Sequence, residues 1–261
     1  MRALGRGAFG EVWEATGPGG FPVAMKFLRL AGKGADAEKR ALKLMQGLRH
    51  PNLLGLHGAW RNGDCLVVAM ELADRTLMDR LHEATDQGQA GVPPAELLGY
   101  MRQAAAGLDY LNAQGVQHRD VKPANLLLVG GGVKVGDFGL AKLLEKMVAT
   151  VSHAMTPAYA PPEFVNGQAS HWSDQYSLTV AYCQLRGGKL PFEGNLAALL
   201  AGHLMKAPDL GVPEAFVKDR VKQLKRTWEK LVADYPGTPW AVVAQRERMT
   251  VLGLEWRAVR E

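Results

Sequence analysis

The hydrophobic pattern of this chain changes period once, and that change limits the folds open to it. Over the first ninety residues the apolar positions come in short runs separated by turn formers: 11–15, the turn Gly17-Pro18-Gly19-Gly20, then 21–28, 53–59 and 65–72. Short runs bounded by Gly and Pro read as strands and hairpins. One helical stretch interrupts them at 35–48, where Ala41, Leu44, Met45 and Leu48 recur at helical spacing. From Pro94 onward the spacing of Leu97, Leu98, Met101, Ala105, Leu108 and Leu111 predicts a helical face, which Gly115 ends. The order predicts an α+β chain in two lobes. Residues 1–72 form a small antiparallel-sheet lobe with one helix, and residues 73–205 a larger, mainly helical lobe. The seam is expected at Glu71-Leu72-Ala73-Asp74, where the last strand gives way to polar sequence.

Composition removes several function classes. A chain of 261 residues with 47% hydrophobic and 22% charged residues buries a sizeable core. A formal charge of +5 suits phosphate-rich ligands but falls short of a nucleic-acid footprint, so no nucleic-acid partner is expected. The apolar stretches 66–70 and 176–182 are far shorter than a bilayer span. Met1-Arg2-Ala3-Leu4 lacks the apolar core of a signal peptide, so the expectation is no transmembrane segment in this chain and a cytoplasmic location. Cys65 and Cys183 are far apart and without metal-ligand spacing, which fits a reducing compartment.

Five elements carry chemistry, in a fixed order. Gly5-Arg6-Gly7-Ala8-Phe9-Gly10-Glu11-Val12 leads into a strand and a turn, not a helix. That context favours a glycine-rich hairpin whose amides approach phosphates over a dinucleotide-binding turn. Lys26 closes the apolar Val23-Ala24-Met25; folded back across the sheet, its ammonium would sit beneath the hairpin. His118-Arg119-Asp120-Val121-Lys122-Pro123-Ala124-Asn125 crowds acid, base and amide into one loop, which Pro123 keeps from becoming helical. The buried strand 126–129, the turn Gly130-Gly131-Gly132 and the returning 133–135 then bring Asp137-Phe138-Gly139 back to that loop. Two carboxylates and an amide converging there suit Mg²⁺, which takes few protein ligands plus substrate phosphates.

Together these motifs resemble a eukaryotic-type, bacterial Hanks-type serine/threonine protein kinase: GxGxxGxV at 5–12, the VAxK lysine Lys26, HRDxKxxN at 118–125 and DFG at 137–139. The resemblance covers residues 1 to about 200 and implies a bilobal protein-kinase-like fold. Lys122, two places after Asp120, resembles serine/threonine rather than tyrosine kinases. Leu72-Ala73-Asp74-Arg75 and Pro123-Ala124-Asn125 are similar to bacterial members. The implied activity is ATP-dependent phosphoryl transfer to Ser or Thr hydroxyls of a protein substrate, with autophosphorylation of the activation segment. The resemblance assigns Asp120, Lys122, Lys26 and Glu38 to catalysis. It assigns Gly5, Gly7, Gly10, Val12, Ala24, Lys26, Met70, Glu71, Ala73, Asn125, Leu127 and Asp137 to ATP. Asn125 and Asp137 hold Mg²⁺; Met70 is the gatekeeper, and Glu71 and Ala73 offer main-chain hydrogen bonds to adenine. Regulatory expectations fall on Arg119, Thr150, Ser152 and Thr156, of which Thr156 is read as structural. His118 is expected to shape the loop, and Asp174 to tether its backbone from a helix.

Some positions depart from that pattern. Counting back from His50-Pro51-Asn52, the glutamate that would pair with Lys26 falls at Ala41; Glu38, one turn earlier, is taken as its replacement. Pro161-Pro162-Glu163 stands for Ala-Pro-Glu, and Met155 and Thr179 stand where glycines are customary. The chain begins almost at the glycine motif, which predicts a first strand barely four residues long, a truncated start and a weakened small lobe. Residues 206–261 are read as an atypical helical segment packed on the large lobe. Val217, Val221, Leu224, Trp228 and Leu231 line one side of it and basic residues flank them. The rival to an active kinase is a nucleotide-binding scaffold with little catalysis. Ala41, the short strand and the unplaced last helices favour the scaffold; Lys26, Asp120, Asn125 and Asp137 favour the enzyme.

Overall fold

A computed structural model of the protein describes residues 2–7, 10–29, 47–138, 156–166, 170 and 172–205. The helix expected at 35–48 lies, except for its last two residues, outside them, as do Glu38, Thr150, Ser152 and the segment 206–261.

Strands β1 (Arg2–Gly7), β2 (Gly10–Thr16), β3 (Pro22–Arg29), β4 (Leu56–Asn62) and β5 (Cys65–Glu71) form an antiparallel sheet ordered β1-β2-β3-β5-β4. The expected four-residue first strand is in fact six residues long. Pairing runs through the glycine motif itself, with Gly5 opposite Val12, Arg6 opposite Glu11 and Gly7 opposite Gly10. At Gly10, φ is +139° and a Cβ would fall on the Phe27 carbonyl oxygen, so only glycine lets the hairpin lie against β3. The apolar run expected at 53–59 is split. Its first half joins the large lobe: Leu53 bridges Val135, Leu54 N–H donates to Val135 O, and Asn52 Nδ2 donates to Val133 O. Strand β4 therefore starts only at Leu56.

The large lobe is built from β6 (Arg75–Thr76), α1 (Leu77–Asp86), α2 (Pro94–Ala113), β7 (Leu126–Val129), β8 (Gly132–Val135), α3 (Ser173–Gly187) and α4 (Leu196–Met205). Its small sheet runs β6-β7-β8. Thr76 caps α1 reciprocally with Asp79, each side chain accepting the other's main-chain N–H. Helix α2 buries Leu97, Ala104, Leu108 and Leu111, with Met101 packed alongside. Leu98, expected on that face, is exposed, because it lies about 100° around the helix from Leu97. Gly115, at φ +72°, ends the helix as expected. At Gly107 a Cβ would stand 2.6 Å from Asn52 O, so glycine lets α2 press against the 52–54 segment.

Each sheet has its own apolar cluster. Leu28, Leu66 and Val68 fill the first, while the larger one gathers Leu77, Leu97, Leu111, Leu126, Val133 and Leu185 among others. Fully burying each such side chain contributes about 1.5–3 kcal/mol. Met70 packs against both clusters and so stands between the lobes. This is the bilobal α+β arrangement. Among the described residues, no helix is long and apolar enough to cross a membrane.

Candidate active site

The loop 118–125 is suspended from α3. The buried carboxylate of Asp174 accepts the main-chain N–H of His118 at Oδ2 and of Arg119 at Oδ1, both at 2.7 Å. His118 is fully buried and reads as one tautomer: its Nδ1 accepts from Asp120 N–H (3.2 Å), so its Nε2 carries the proton and donates to Gly136 O (2.8 Å). The imidazole thus holds the loop against the residue before Asp137, the loop-shaping part expected of it. Arg119 and Asp137 are the non-glycine residues described with positive φ, +64° and +56°. Such a conformation costs of order 1–3 kcal/mol each, and the hydrogen bonds around Asp174 and Gly136 hold it in place.

Asp120, Lys122 and Thr156 close a triangle. Thr156 Oγ1 donates to Asp120 Oδ1 (2.9 Å), and Lys122 Nζ donates to both Asp120 Oδ2 and Thr156 Oγ1 (2.9 Å each). Asn125 Nδ2 adds bonds to Asp120 O (2.7 Å) and Oδ2 (3.1 Å). Thr156 is therefore bound to both Asp120 and Lys122 by its hydroxyl.

Lys26, opposite Val12 on β2 and Val68 on β5, reaches across the cleft to ion-pair with Asp137 Oδ1. The lysine side chain is 12% exposed and the aspartate 43%, so the carboxylate faces the open side of the pair. The proposed partner Glu38 falls outside the described residues. Gly136 N–H donates to Asn125 O (2.9 Å), which ties the approach to Asp137 to the loop. With its amide N–H groups on Asp120, the atom Asn125 can offer a cation is Oδ1; Asp137 offers carboxylate oxygen. That pair of hard donors fits a divalent metal. Among the described residues no three His, Cys, Asp or Glu side chains cluster as a metal site of their own, so phosphate and water would supply the remaining ligands.

The other expected ATP contacts fall on the small-lobe strands, on β7 and on the link between β5 and β6. Gly5, Gly7 and Gly10 lie at the β1–β2 turn; Ala24 is opposite Met70; Leu127 packs on Gly136, where a Cβ would meet its Cδ1 at 2.6 Å. Ala73 sits between β5 and β6. Glu71 N–H is bound to Gly55 O (2.8 Å), and its side chain takes Gly55 N–H (3.1 Å) and Lys134 Nζ (2.8 and 2.9 Å). Sequence reasoning missed this ion pair, as Lys134 is a lone polar residue in an apolar strand. It also missed Gln117, whose Oε1 accepts from Arg119 Nε (3.2 Å) and Nη2 (3.1 Å).

Behind Thr156, the turn Pro157–Tyr159 rests on α3 and α4. Ser177 Oγ donates to Tyr159 O (2.9 Å), and His203 is buried against Tyr176 and Phe192. Burial pushes the Tyr176 phenol up to about 12, and its OH shares a hydrogen bond with His203 Nδ1 (2.9 Å). His203 Nε2 is buried without a partner at full hydrogen-bond geometry. Desolvation holds the imidazole below its ordinary 6.5, opposed by the main chain at Pro157 and Ala158. A lowered value means the folded state resists protonation. The stability it contributes is present above about 6.5 and is lost as pH falls through the lowered value. Melting temperatures between pH 7 and 5 should therefore fall more in the wild type than in His203→Gln, which keeps a hydrogen-bonding partner for Tyr176; parallel curves would remove His203 as the cause.

The chain is similar to known proteins over most of its length. The family model described as protein kinase domain matches residues 1–234. Over 250 residues the chain is 34% identical to the serine/threonine-protein kinase PknJ of Mycobacterium tuberculosis, covering 89% of this chain and 40% of that protein. It is 33% identical over 227 residues to the tyrosine-protein kinase Srms of Homo sapiens, covering 83% and 46%. It is 32% identical over 204 residues to NUAK family SNF1-like kinase 2 of Rattus norvegicus, covering 75% and 31%. The chain thus spans less than half the length of each of these relatives.

Proposed function

Since this chain belongs to the protein kinase domain family, we propose that it transfers the γ-phosphoryl group of ATP to serine and threonine hydroxyls of proteins, with Mg²⁺ as its metal. The observation that carries the hydroxyl class is the Asp120–Lys122–Thr156 triangle, in which a lysine and a threonine meet at the carboxylate. Phosphoryl transfer through a loose transition state leaves the protein mainly positioning and charge neutralisation. Asp120 Oδ1 keeps a lone pair beside the Thr156 bond, and it orients the acceptor hydroxyl and receives its proton. Lys122, already at that oxygen pair, offsets negative charge on the group in flight. Lys26 holds the α and β phosphates, exchanging Asp137 for them. The hairpin amides at Gly5, Gly7 and Gly10 cover the phosphates; Val12, Ala24, Met70 and Leu127 enclose adenine, with Glu71 contributing its carbonyl and Ala73 its main chain. When bound through Asn125 and Asp137, the metal neutralises phosphate charge.

The same reading includes the lobe boundaries after residues 72 and 205, Glu38 as the second partner of Lys26, Arg119 as receiver of a phosphate on Thr150 or Ser152, and a cytoplasmic setting. Incubation with Mg²⁺, γ-labelled ATP and a basic acceptor protein, followed by phosphoamino-acid analysis, should show label on Ser and Thr. Label on Tyr would overturn the hydroxyl class. ATP binding without transfer would favour the scaffold instead.

A further inference from the structure

Glu163 lies at the start of the short turn Pro162–Asn166, and its carboxylate is held by hydroxyls. Its Oε1 accepts from Ser170 Oγ (2.8 Å) and Ser173 Oγ (2.7 Å). Burial works to raise its pKa; the Ser173 hydroxyl, the main chain and the Ser170 hydroxyl outweigh that and leave it below its ordinary value. The carboxylate is thus charged, and bonds to it from O–H groups are of the stronger, charge-assisted kind.

Both serines also belong to the machinery under the catalytic loop. Ser170 N–H donates to Ser173 Oγ (2.8 Å), and Ser170 Oγ accepts from Trp172 N–H (3.2 Å), so together they brace the start of α3. Ser170 O accepts from Gln117 Nε2 (2.9 Å), the same amide group whose oxygen holds the Arg119 guanidinium. The residue after Ser173 is Asp174, which carries the N–H groups of His118 and Arg119. Two short paths therefore run from Glu163 to the loop that bears Asp120: one through Ser170 and Gln117, the other through Ser173 and Asp174.

Building on the kinase reading, we infer that Ser170 and Ser173 are positioning residues for phosphoryl transfer, their hydroxyls clamping Glu163 so that the segment carrying Thr156 and the loop carrying Asp120 share one anchor at the start of α3. Neither serine touches a reacting atom. Each acts through the carboxylate and the helix start.

The test is kinetic and structural at once. Ser170→Ala/Ser173→Ala should lower kcat for a protein acceptor about tenfold, the effect of losing a hydrogen bond to a charged group, with KM for ATP unchanged. Amide exchange at His118 and Arg119 should quicken in the same variant. Ser170→Thr, which keeps the hydroxyl, should retain wild-type kcat. In a Glu163→Ala background the two serine replacements should add a smaller loss than they cause in the wild type. Unchanged kcat and unchanged exchange in the double variant, or an undiminished further loss in the Glu163→Ala background, would overturn the clamp. A wild-type protein that transfers no phosphate would instead overturn the kinase reading, and the exchange measurement would then decide the clamp alone. If the buried Ser173 cannot be replaced without unfolding, Glu163→Gln supplies the same exchange test: faster exchange at His118 and Arg119 supports the clamp, and unchanged exchange overturns it.

Discussion

Asp120→Asn should lower kcat by about 10²–10⁴-fold, the range for losing a positioned proton acceptor, while ATP binds as before. The substitution is nearly isosteric, and the neighbours decide how it sits. Lys122 Nζ and Asn125 Nδ2 are both donors to Oδ2, whereas Thr156 Oγ1 can turn its proton away and accept instead. The new amide would therefore face its oxygen to Lys122 and Asn125 and its NH₂ to Thr156. The loop survives, and what disappears is the oxygen that takes the acceptor's proton. Steady-state kinetics with a nucleotide titration would check this; a kcat within tenfold of wild type would remove Asp120 as the proton acceptor.

The second large effect is expected at Asp174, on stability. Asp174→Asn offers one acceptor where two main-chain N–H groups, of His118 and Arg119, now bind two oxygens. One buried donor is left facing an NH₂. The cost is about 3 kcal/mol, at the upper end for an unsatisfied buried group, and should lower the melting temperature by about 6–12 °C for a chain of this size. The loss falls where the backbone already holds Arg119 at φ +64°, so exchange at 118–120 should rise with it. A change in melting temperature of less than about 2 °C, corresponding to under 1 kcal/mol, would mean that Asp174 is not what suspends the loop.

How much of this was legible in the residues depended on whether the signal was local. Lys26 could be placed beneath the glycine hairpin because a two-strand turn fixes its register to Val12, and Asp137 could be returned to Asn125 for the same reason along β7 and β8. The 53–59 run misled because its first residues are apolar for the sake of another sheet, a fact set by Val135, 82 residues beyond Leu53. The first strand was underestimated because glycines were counted as loop, although their main chains pair like any others. Leu98 was assigned to the buried face of its helix because adjacent leucines score alike until packing selects one. Ser170 and Ser173 carried no signal beyond a spacing that suits a helix start; their part depends on Glu163 arriving from another segment.

The Glu71–Lys134 pair joins the last strand of the small lobe to the hairpin strand that leads to Asp137. It stands beside the crossing between the lobes at residues 72–74, with Gly55, at the other crossing, fastened to the same carboxylate. An ion pair next to a pivot changes length little when two bodies rotate, whereas one far from it must break. A rotation of the lobes about an axis near Glu71 would leave this pair intact, whereas a slide across it would break it.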